Sequence, residues 1–284
     1  MIYFTEHDID RLIEDDVPAG DITTTLLELS GKKGSISLIA RNEMIACCTE
    51  EAVRLYKKVG LEVYYSVASG TALQAGEKLL EAKGDAGAIH LIWRTGSAMI
   101  EFASGIAGRT RQLVNSARAE NPLVSVAGTR KHPPFVKKLA LKALIAGGGV
   151  PHRTGLSDTV LIFREHLIFT GGYEELPGVV RSVRLKQKER KIVVEAHTLE
   201  EALMVANSGA DAVQMDKMTP EHFADCARQC RAIKPDICMI AAGSINGTNV
   251  AAYAKAGADV LVTSWMYNAP PADVRSEILP IILS

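Results

Sequence analysis

Glu195 and Asp216 each close an apolar run, over 192–195 and 212–216, and stand 21 residues apart. That spacing is one strand, one helix and one strand, which predicts neighbouring strand ends with the two carboxylates roughly 5 Å apart across the ladder. Acids held so close repel unless a cation or sugar hydroxyls are shared between them, and Mg²⁺ with a phosphorylated sugar meets that demand. Two small-residue turns, Gly243-Ser244 and Thr263-Ser264, end later apolar runs. With a helix expected to begin near Asn246 to Asn249, backbone N–H groups at such turns form a phosphate cradle. Cations complete the set: Arg130-Lys131 follow Thr129, and Gly147-Gly148-Gly149 lead to His152-Arg153. Arginine grips carboxylate or phosphate bidentately and lysine acts as a point charge, so the group suits a polyanionic ligand. Three glycines in a row let the backbone turn sharply or approach that ligand closely. For any one of these residues alone, surface salt bridging is the simpler reading.

These residues need elements to hold them. From about Leu123 the chain alternates short apolar runs with helical stretches: strands over 123–126, 159–163, 192–195, 212–216, 237–241 and 259–263, helices over 135–146, 199–208, 221–233 and 249–256. Such alternation with right-handed crossovers builds a parallel sheet, open or closed into a barrel, whose ligands sit at the C-terminal strand ends. Six clear strands point to an incomplete barrel. A weak repeat supports the unit: Gly209-Ala210-Asp211 recurs 48 residues later as Gly257-Ala258-Asp259. In each copy glycine ends a helix and the run after aspartate starts a strand. The first third differs. A short acidic helix over 8–15, strands over 35–40 and 61–66 and a helix over 49–59 indicate an α+β module, followed by an Ala-rich helix over 95–119 interrupted at 104–108.

The 284 residues carry 32 Lys and Arg against 33 Asp and Glu, a net charge of −1. No cationic excess faces a nucleic acid or an anionic membrane, so neither is an expected partner. Hydrophobic residues are 47% and aromatics only 5%, which fits helices packed on buried parallel strands better than an aromatic-rich sandwich. Cys47, Cys48, Cys226, Cys230 and Cys238 are odd in number and form no Cys-x-x-Cys, the pattern of reduced thiols rather than of disulfides or zinc. The N-terminus lacks a basic and apolar leader and no run reaches the ~18 residues of a membrane span, so the expected location is the cytoplasm.

Taken together, Asp15-x-x-x-x-Gly20-Asp21-x-Thr23-Thr24, Ser104-Gly105-Ile106-Ala107, Thr129-Arg130-Lys131, Gly147-Gly148-Gly149-x-x-His152-Arg153-x-Gly155-Leu156-x-Asp158 and the Glu195/Asp216 pair resemble the quinolinate phosphoribosyltransferase family, in the family's order. Within it the chain looks most like the ModD branch, pyrophosphorylases associated with molybdenum transport. The resemblance implies an α/β protein with an N-terminal α/β sandwich over 1–110, an open α/β barrel of about seven strands over 111–270, and a tail over 271–284 packing back on the first domain. It further implies a homodimer in which Arg94, ten residues before Ser104, reaches into the partner's site. Thr129, Arg130, His152, Arg153 and the position of Phe163 match groups that bind the acidic substrate. Lys131 matches a pyrophosphate contact, and Glu195 and Asp216 match the acids at the ribose hydroxyls and Mg²⁺, directly or through water. Ala242, Gly243, Ser244, Thr263 and Ser264 fall on the phosphate-binding turns.

The departures gather on the acceptor side. Where the family has a substrate-binding lysine in Leu-Ile-Lys-x-Asn-His, Leu161-Ile162-Phe163-Arg164-Glu165-His166 places Phe163, and strand alternation points Arg164 the other way. Leu-Asp-Asn becomes Met215-Asp216-Lys217, Glu-x-Ser-Gly-Gly becomes Ile240-Ala241-Ala242-Gly243-Ser244, and Thr-Arg-Lys-Thr-x-Pro-Gly becomes Thr129-Arg130-Lys131-His132-Pro133-Pro134-Phe135. A dicarboxylate acceptor deprived of its cation binds worse, because an unpaired buried carboxylate costs several kcal/mol. The expected activity is therefore transfer of phosphoribose from 5-phosphoribosyl 1-diphosphate (PRPP) to an acidic heteroaromatic acceptor other than quinolinate, with pyrophosphate released. Two rivals stand beside it: an authentic decarboxylating quinolinate phosphoribosyltransferase, and a non-catalytic ligand-binding protein for molybdate uptake. A Schiff-base aldolase would need a lysine at a strand end, for which Lys217 is an awkward candidate.

Overall fold

A computed structural model of the chain describes residues 2–282. Met1, at the head of the expected first domain, and Leu283 and Ser284, at the end of the expected tail, lie outside the described residues. In chain order the strands are β1 (Lys33–Ala40), β2 (Met44–Ile45), β3 (Glu62–Ser66), β4 (Ala72–Leu73), β5 (Lys78–Asp85), β6 (Ser125–Gly128), β7 (Val150–Pro151), β8 (Val160–Ile162), β9 (Ile192–Ala196), β10 (Ala212–Asp216), β11 (Cys238–Ala242), β12 (Val260–Thr263) and β13 (Val274–Pro280). No helix of the described residues is long and apolar enough to cross a membrane.

The chain clusters into two compact units. The first comprises the described residues up to Arg111, Pro133–Gly148, and the described residues from Tyr267 on. Its antiparallel sheet runs β13-β1-β5-β3, with β13 laid along β1 from Gly34↔Pro280 to Ala40↔Val274. Alternation on β1 buries Ile36 and Leu38 fully, the signature of a sheet with one face on a core. The segment Pro133–Gly148, which sequence alone puts inside 111–270, belongs to this unit. Lys138 Nζ lies 2.6 Å from Asp8 Oδ2, Lys142 pairs with Glu50 and Glu51, and the Arg111 guanidinium donates to the carbonyls of Ala146 and Gly147.

One helix, Ala86–Glu120, runs through the predicted interruption at 104–108. Ser104 and Gly105 do not break it; they let neighbours approach. Ser104 Oγ accepts from the Cys47 N–H at 3.0 Å, and a Cβ on Gly105 would stand 2.2 Å from the Pro270 carbonyl oxygen. In the Gly147-Gly148-Gly149 run, Gly147 likewise serves the fold, because a Cβ there would meet the Ala107 carbonyl and Thr110 at 2.5 Å.

The second unit, Gln112–His132 and Gly149–Met266, holds a seven-stranded parallel sheet in the order β7-β6-β12-β11-β10-β9-β8. The seventh strand, which the family resemblance implies and the six apolar runs do not include, is the two-residue β7 at the edge; it is too short to carry a hydrophobic pattern. The expected helix near 246–249 starts later, at Val250, and Asn246 to Asn249 form a side-chain-bonded turn instead, with Asn246 N–H on Asn249 Oδ1 at 2.8 Å.

The Gly-Ala-Asp repeat proves to be a clamp at the N-terminal strand ends. Asp211 Oδ2 accepts from the Ile192 N–H at 2.6 Å and from Arg184 at 2.9 Å. Asp259 Oδ2 accepts from the Met239 N–H at 2.7 Å and from Arg231 at 2.9 Å, and each arginine also reaches the glycine carbonyl of its repeat. Each aspartate thus ties the first residues of its own strand to a neighbouring strand and a helix, which fixes the register of the sheet.

Candidate active site

The cavity that matters lies at the C-terminal ends of the parallel strands and has a volume of about 650 Å³. Its floor is the apolar cluster Ala127, Leu161, Val193, Ala212, Ile240, Ala242 and Val262, all on one face of the sheet. Side chains alternate along a strand, so the next residues in phase, Phe163, Glu195, Gln214 and Asp216, point to the same side. The cavity brings together Thr129, Arg130, Lys131, His152, Arg153, Phe163, Glu195, Asp216, Ala242, Gly243 and Ser244.

The two acids are not directly opposite, as their spacing suggests. β9 runs one residue past Glu195 and β10 ends at Asp216, and the register sets Glu195 against Gln214 and Ala196 against Met215. Asp216 therefore lies two residues further along, about 8 Å away by backbone geometry. Gln214 fills the directly facing place, where its Nε2 donates to Glu195 Oε2 at 2.9 Å. The other carboxylate oxygen has His197 Nε2 at 3.4 Å, and the hydroxyl of Tyr173 donates to the Glu195 backbone carbonyl at 2.7 Å. Burial pushes the Glu195 carboxyl above its usual range, the charge of Asp216 adds to that, and the Gln214 hydrogen bond works the other way.

A carboxylate in that condition fits a divalent cation. No group of three or more His, Cys, Asp or Glu among the described residues could cage a metal ion. The two carboxylates have the chemistry of a Mg²⁺ site held by one or two carboxylates, with water and ligand phosphate oxygens in the remaining positions.

Just past the end of β8, the strand beside β9, the Phe163 ring has the Arg153 guanidinium 5.8 Å from its centroid and stacks on His166 at 5.7 Å. A second cavity of about 660 Å³ shares Arg130, Arg153, Leu161 and Phe163, so this pair stands between two spaces. Arg164 faces neither, lining a separate cleft with Tyr173 and Glu201. His152 is shifted below the usual histidine range by burial and then by the charge of Arg153, both of which disfavour its cationic form.

The Gly243-Ser244 turn is left-handed at both residues, φ +82° and +59°. Its Ser244 carbonyl accepts from the side-chain amides of Asn246 and Asn249, each at 3.1 Å. Three expected residues stand outside the cavity lining. Thr263 is buried on the other face of β12 and its hydroxyl serves the fold, donating to the Ile245 carbonyl at 2.6 Å and accepting from the Trp265 N–H at 3.0 Å. Ser264 follows it, half-buried. Arg94 belongs to the first unit, with its guanidinium 5.9 Å from the Trp93 ring.

Gln214 and Lys217 also line the cavity, without being assigned a part there by sequence reasoning. Gln214 interrupts an apolar strand at an inward position two residues before Asp216; a polar residue in that phase is the signal that would have found it.

Residues 21–104 match the family description "Quinolinate phosphoribosyl transferase, N-terminal domain", and residues 106–276 match "Quinolinate phosphoribosyl transferase, C-terminal domain". The Rhodobacter capsulatus protein named "Putative pyrophosphorylase ModD" is 41% identical over 248 residues, which cover 87% of this chain and 94% of that one. The Pasteurella multocida protein of the same name is 33% identical over 275 residues, 97% of this chain and 98% of that one. In fold, the nicotinate-nucleotide pyrophosphorylase from Francisella tularensis superposes with a TM-score of 0.88 at 23% identity, over 98% of each chain. Two family domains spanning the chain, and relatives matched over nearly their whole length, make it a ModD-like phosphoribosyltransferase that belongs to the quinolinate phosphoribosyltransferase family.

Proposed function

We propose that the protein transfers the 5-phosphoribosyl group of PRPP to a ring nitrogen of a heteroaromatic acceptor other than quinolinate, releasing pyrophosphate. The observation that carries this reading is the composition of the cavity. Its lining combines carboxylates, cations and a left-handed Gly-Ser turn, which suit a sugar phosphate, with the Arg153-capped ring of Phe163, which suits a heteroaromatic acceptor. Loss of pyrophosphate from C1 leaves an oxocarbenium-like centre, so the site must favour a transient cation and a departing polyanion together. Glu195 and Asp216 orient the ribose hydroxyls and their negative charge favours the developing cation. Lys131 grips the pyrophosphate, Arg130, His152 and Arg153 bind the acidic acceptor, and the Gly243-Ser244 turn takes the 5-phosphate. Glu195 and Asp216 are also the residues that would hold Mg²⁺, which when bound supplies charge neutralisation at the pyrophosphate. A ring nitrogen that attacks with its lone pair needs no general base, and positioning then supplies most of the rate. The reading extends to a homodimer with Arg94 contributed to the partner's site, to a cytoplasmic location, and to a link with molybdenum uptake or metabolism suggested by the ModD relatives.

The test is a screen of heteroaromatic acids and purine- and pterin-like compounds for PRPP-dependent pyrophosphate release, with calorimetry for PRPP binding in the presence of Mg²⁺. At least one acceptor should give stoichiometric release. A chain that neither binds PRPP nor releases pyrophosphate with any acceptor is a binding protein and not this transferase.

A further inference from the structure

We infer that Lys217 is a phosphate-binding residue of the donor site, closing its ammonium over the 5-phosphate held at the Gly243-Ser244 turn. The inference rests on the phosphoribosyl-transfer reading above and adds to it a residue that the reading leaves without a part.

Lys217 comes directly after Asp216, the last residue of β10, and its backbone is left-handed at φ +57°. Lysine has a Cβ that makes this region costly, so the conformation must be imposed by its surroundings. Two contacts impose it. The Lys217 N–H donates to the Ala242 carbonyl at 2.9 Å, adding one bond to the ladder beyond the end of the strand. The stem then crosses Gly243 so closely that a Cβ there would stand 2.6 Å from Lys217 Cγ and 2.9 Å from its backbone nitrogen. Gly243 is thus needed as glycine for the lysine's passage as well as for its own positive φ.

The fold gains little from this arrangement. The Lys217 side chain is 73% exposed, and its ion pair with Asp216 Oδ2 is 3.8 Å long, at the outer edge of such contacts. An exposed pair of this kind contributes marginally to stability. What the strained backbone does achieve is an ammonium at the rim of the cavity, on the strand end beside Ser244, where the turn alone offers neutral groups. A phosphate dianion at that turn needs a cation, and a lysine on a flexible stem supplies a point charge from above. Arg130 and Lys131 follow β6, which β12 separates from β11 and its Gly243-Ser244 turn, whereas β10, which Lys217 follows, lies directly beside β11.

The experiment uses the full chain and two probes, ribose 5-phosphate and inorganic pyrophosphate, measured by calorimetry. Lys217→Asn removes the charge while suiting the left-handed backbone, so it keeps the fold; Lys217→Arg keeps the charge. Lys217→Asn should weaken ribose 5-phosphate binding tenfold or more, Lys217→Arg less than threefold, and pyrophosphate binding should change less than threefold in both. Unchanged ribose 5-phosphate affinity in Lys217→Asn, or a loss that falls on pyrophosphate instead, overturns the assignment. The two readings fail separately. If an acceptor is turned over while Lys217→Asn leaves ribose 5-phosphate binding intact, transfer stands and Lys217 falls. If ribose 5-phosphate binding depends on Lys217 but PRPP is never cleaved, Lys217 stands and transfer falls.

Discussion

Gln214 holds Glu195 by one amide hydrogen bond while its own carbonyl oxygen, in a residue only 5% exposed, finds no hydrogen-bond partner among the described residues. The pair is directly opposite in the ladder, so the hydrogen bond is imposed by register and not by a chance rotamer. It is also the contact that lowers the proton affinity of a carboxyl otherwise raised by burial and by Asp216. Gln214→Met should therefore push Glu195 further up and move the acid limb of the kcat/KM profile to higher pH. A companion measurement checks the sign. A carboxyl raised in the folded state binds protons more tightly there than when unfolded, so it costs stability as pH climbs above the ordinary carboxylate range. Glu195→Gln should be the more stable protein at pH 7 in urea unfolding, with the difference vanishing near pH 4. Its turnover should drop about 10²- to 10³-fold, as for loss of a group that stabilises developing charge.

Phe163→Lys places an ammonium where Arg153 now stacks on a ring. Without a ligand the two cations repel, and the variant should unfold at lower temperature than the parent, by an amount that falls when salt is added. With quinolinate the repulsion is relieved, so calorimetry should detect dicarboxylate binding in Phe163→Lys and much weaker binding in the parent. Equal quinolinate affinity in both would mean that Phe163 does not exclude it.

Lys142 bridges Glu50 and Glu51, and its removal leaves Glu51, whose side chain is 7% exposed, as an unpaired buried acid. Lys142→Met should cost about 3 kcal/mol at pH 7, as for a broken buried pair. The loss should shrink in acid. Burial raises Glu50, yet hydrogen bonds from Lys142 and Ser69 outweigh it and bring the carboxyl down to about 2. A lowered carboxyl contributes above its unfolded pKa and loses that contribution as pH falls toward its folded value. Urea unfolding at pH 7 and at pH 3 distinguishes this from a simple packing defect, which would cost the same at both.

Two glycines three residues apart in one helix should respond oppositely to alanine. Around Gly108 nothing lies within 4 Å of an added Cβ, so Gly108→Ala should gain about 0.5–1 kcal/mol from reduced chain entropy. At Gly105 the Pro270 carbonyl stands 2.2 Å from that Cβ. Gly105→Ala should lose more than its helix propensity returns and lower the melting temperature by several degrees, read by circular dichroism.

The parallel sheet was legible because its longer strands are short, mostly apolar runs alternating with helical stretches; the bounds of β10 are those that its run predicts. The edge strand β7 was not, since two residues hold no periodicity. The helix Ala86–Glu120 read as interrupted because Gly105 and Gly108 look like breakers, and only Pro270, far away in sequence, explains the first of them. Most of the cavity could be located from residue types at strand ends. The offset between Glu195 and Asp216 could not, because spacing along the chain does not determine register between strands. That offset is also why Gln214, in the middle of its strand, holds a place no terminal residue could fill. Thr263 shows the opposite error: it sits at a strand end, but its phase turns it toward the fold.

The paired clamps of Asp211 with Arg184 and Asp259 with Arg231 sit at the other ends of these strands. They divide the labour within each strand. Because alignment is anchored at the starting residues, the finishing residues are released from that duty and can be exchanged one at a time. Phe163 and Lys217 lie just past the finishing ends of β8 and β10, and Gln214, mid-strand in β10, faces the same cavity. A sheet built this way lets the residues around the cavity change without renegotiating how the strands meet, and it marks Phe163 as the first position to alter in redesigning the acceptor.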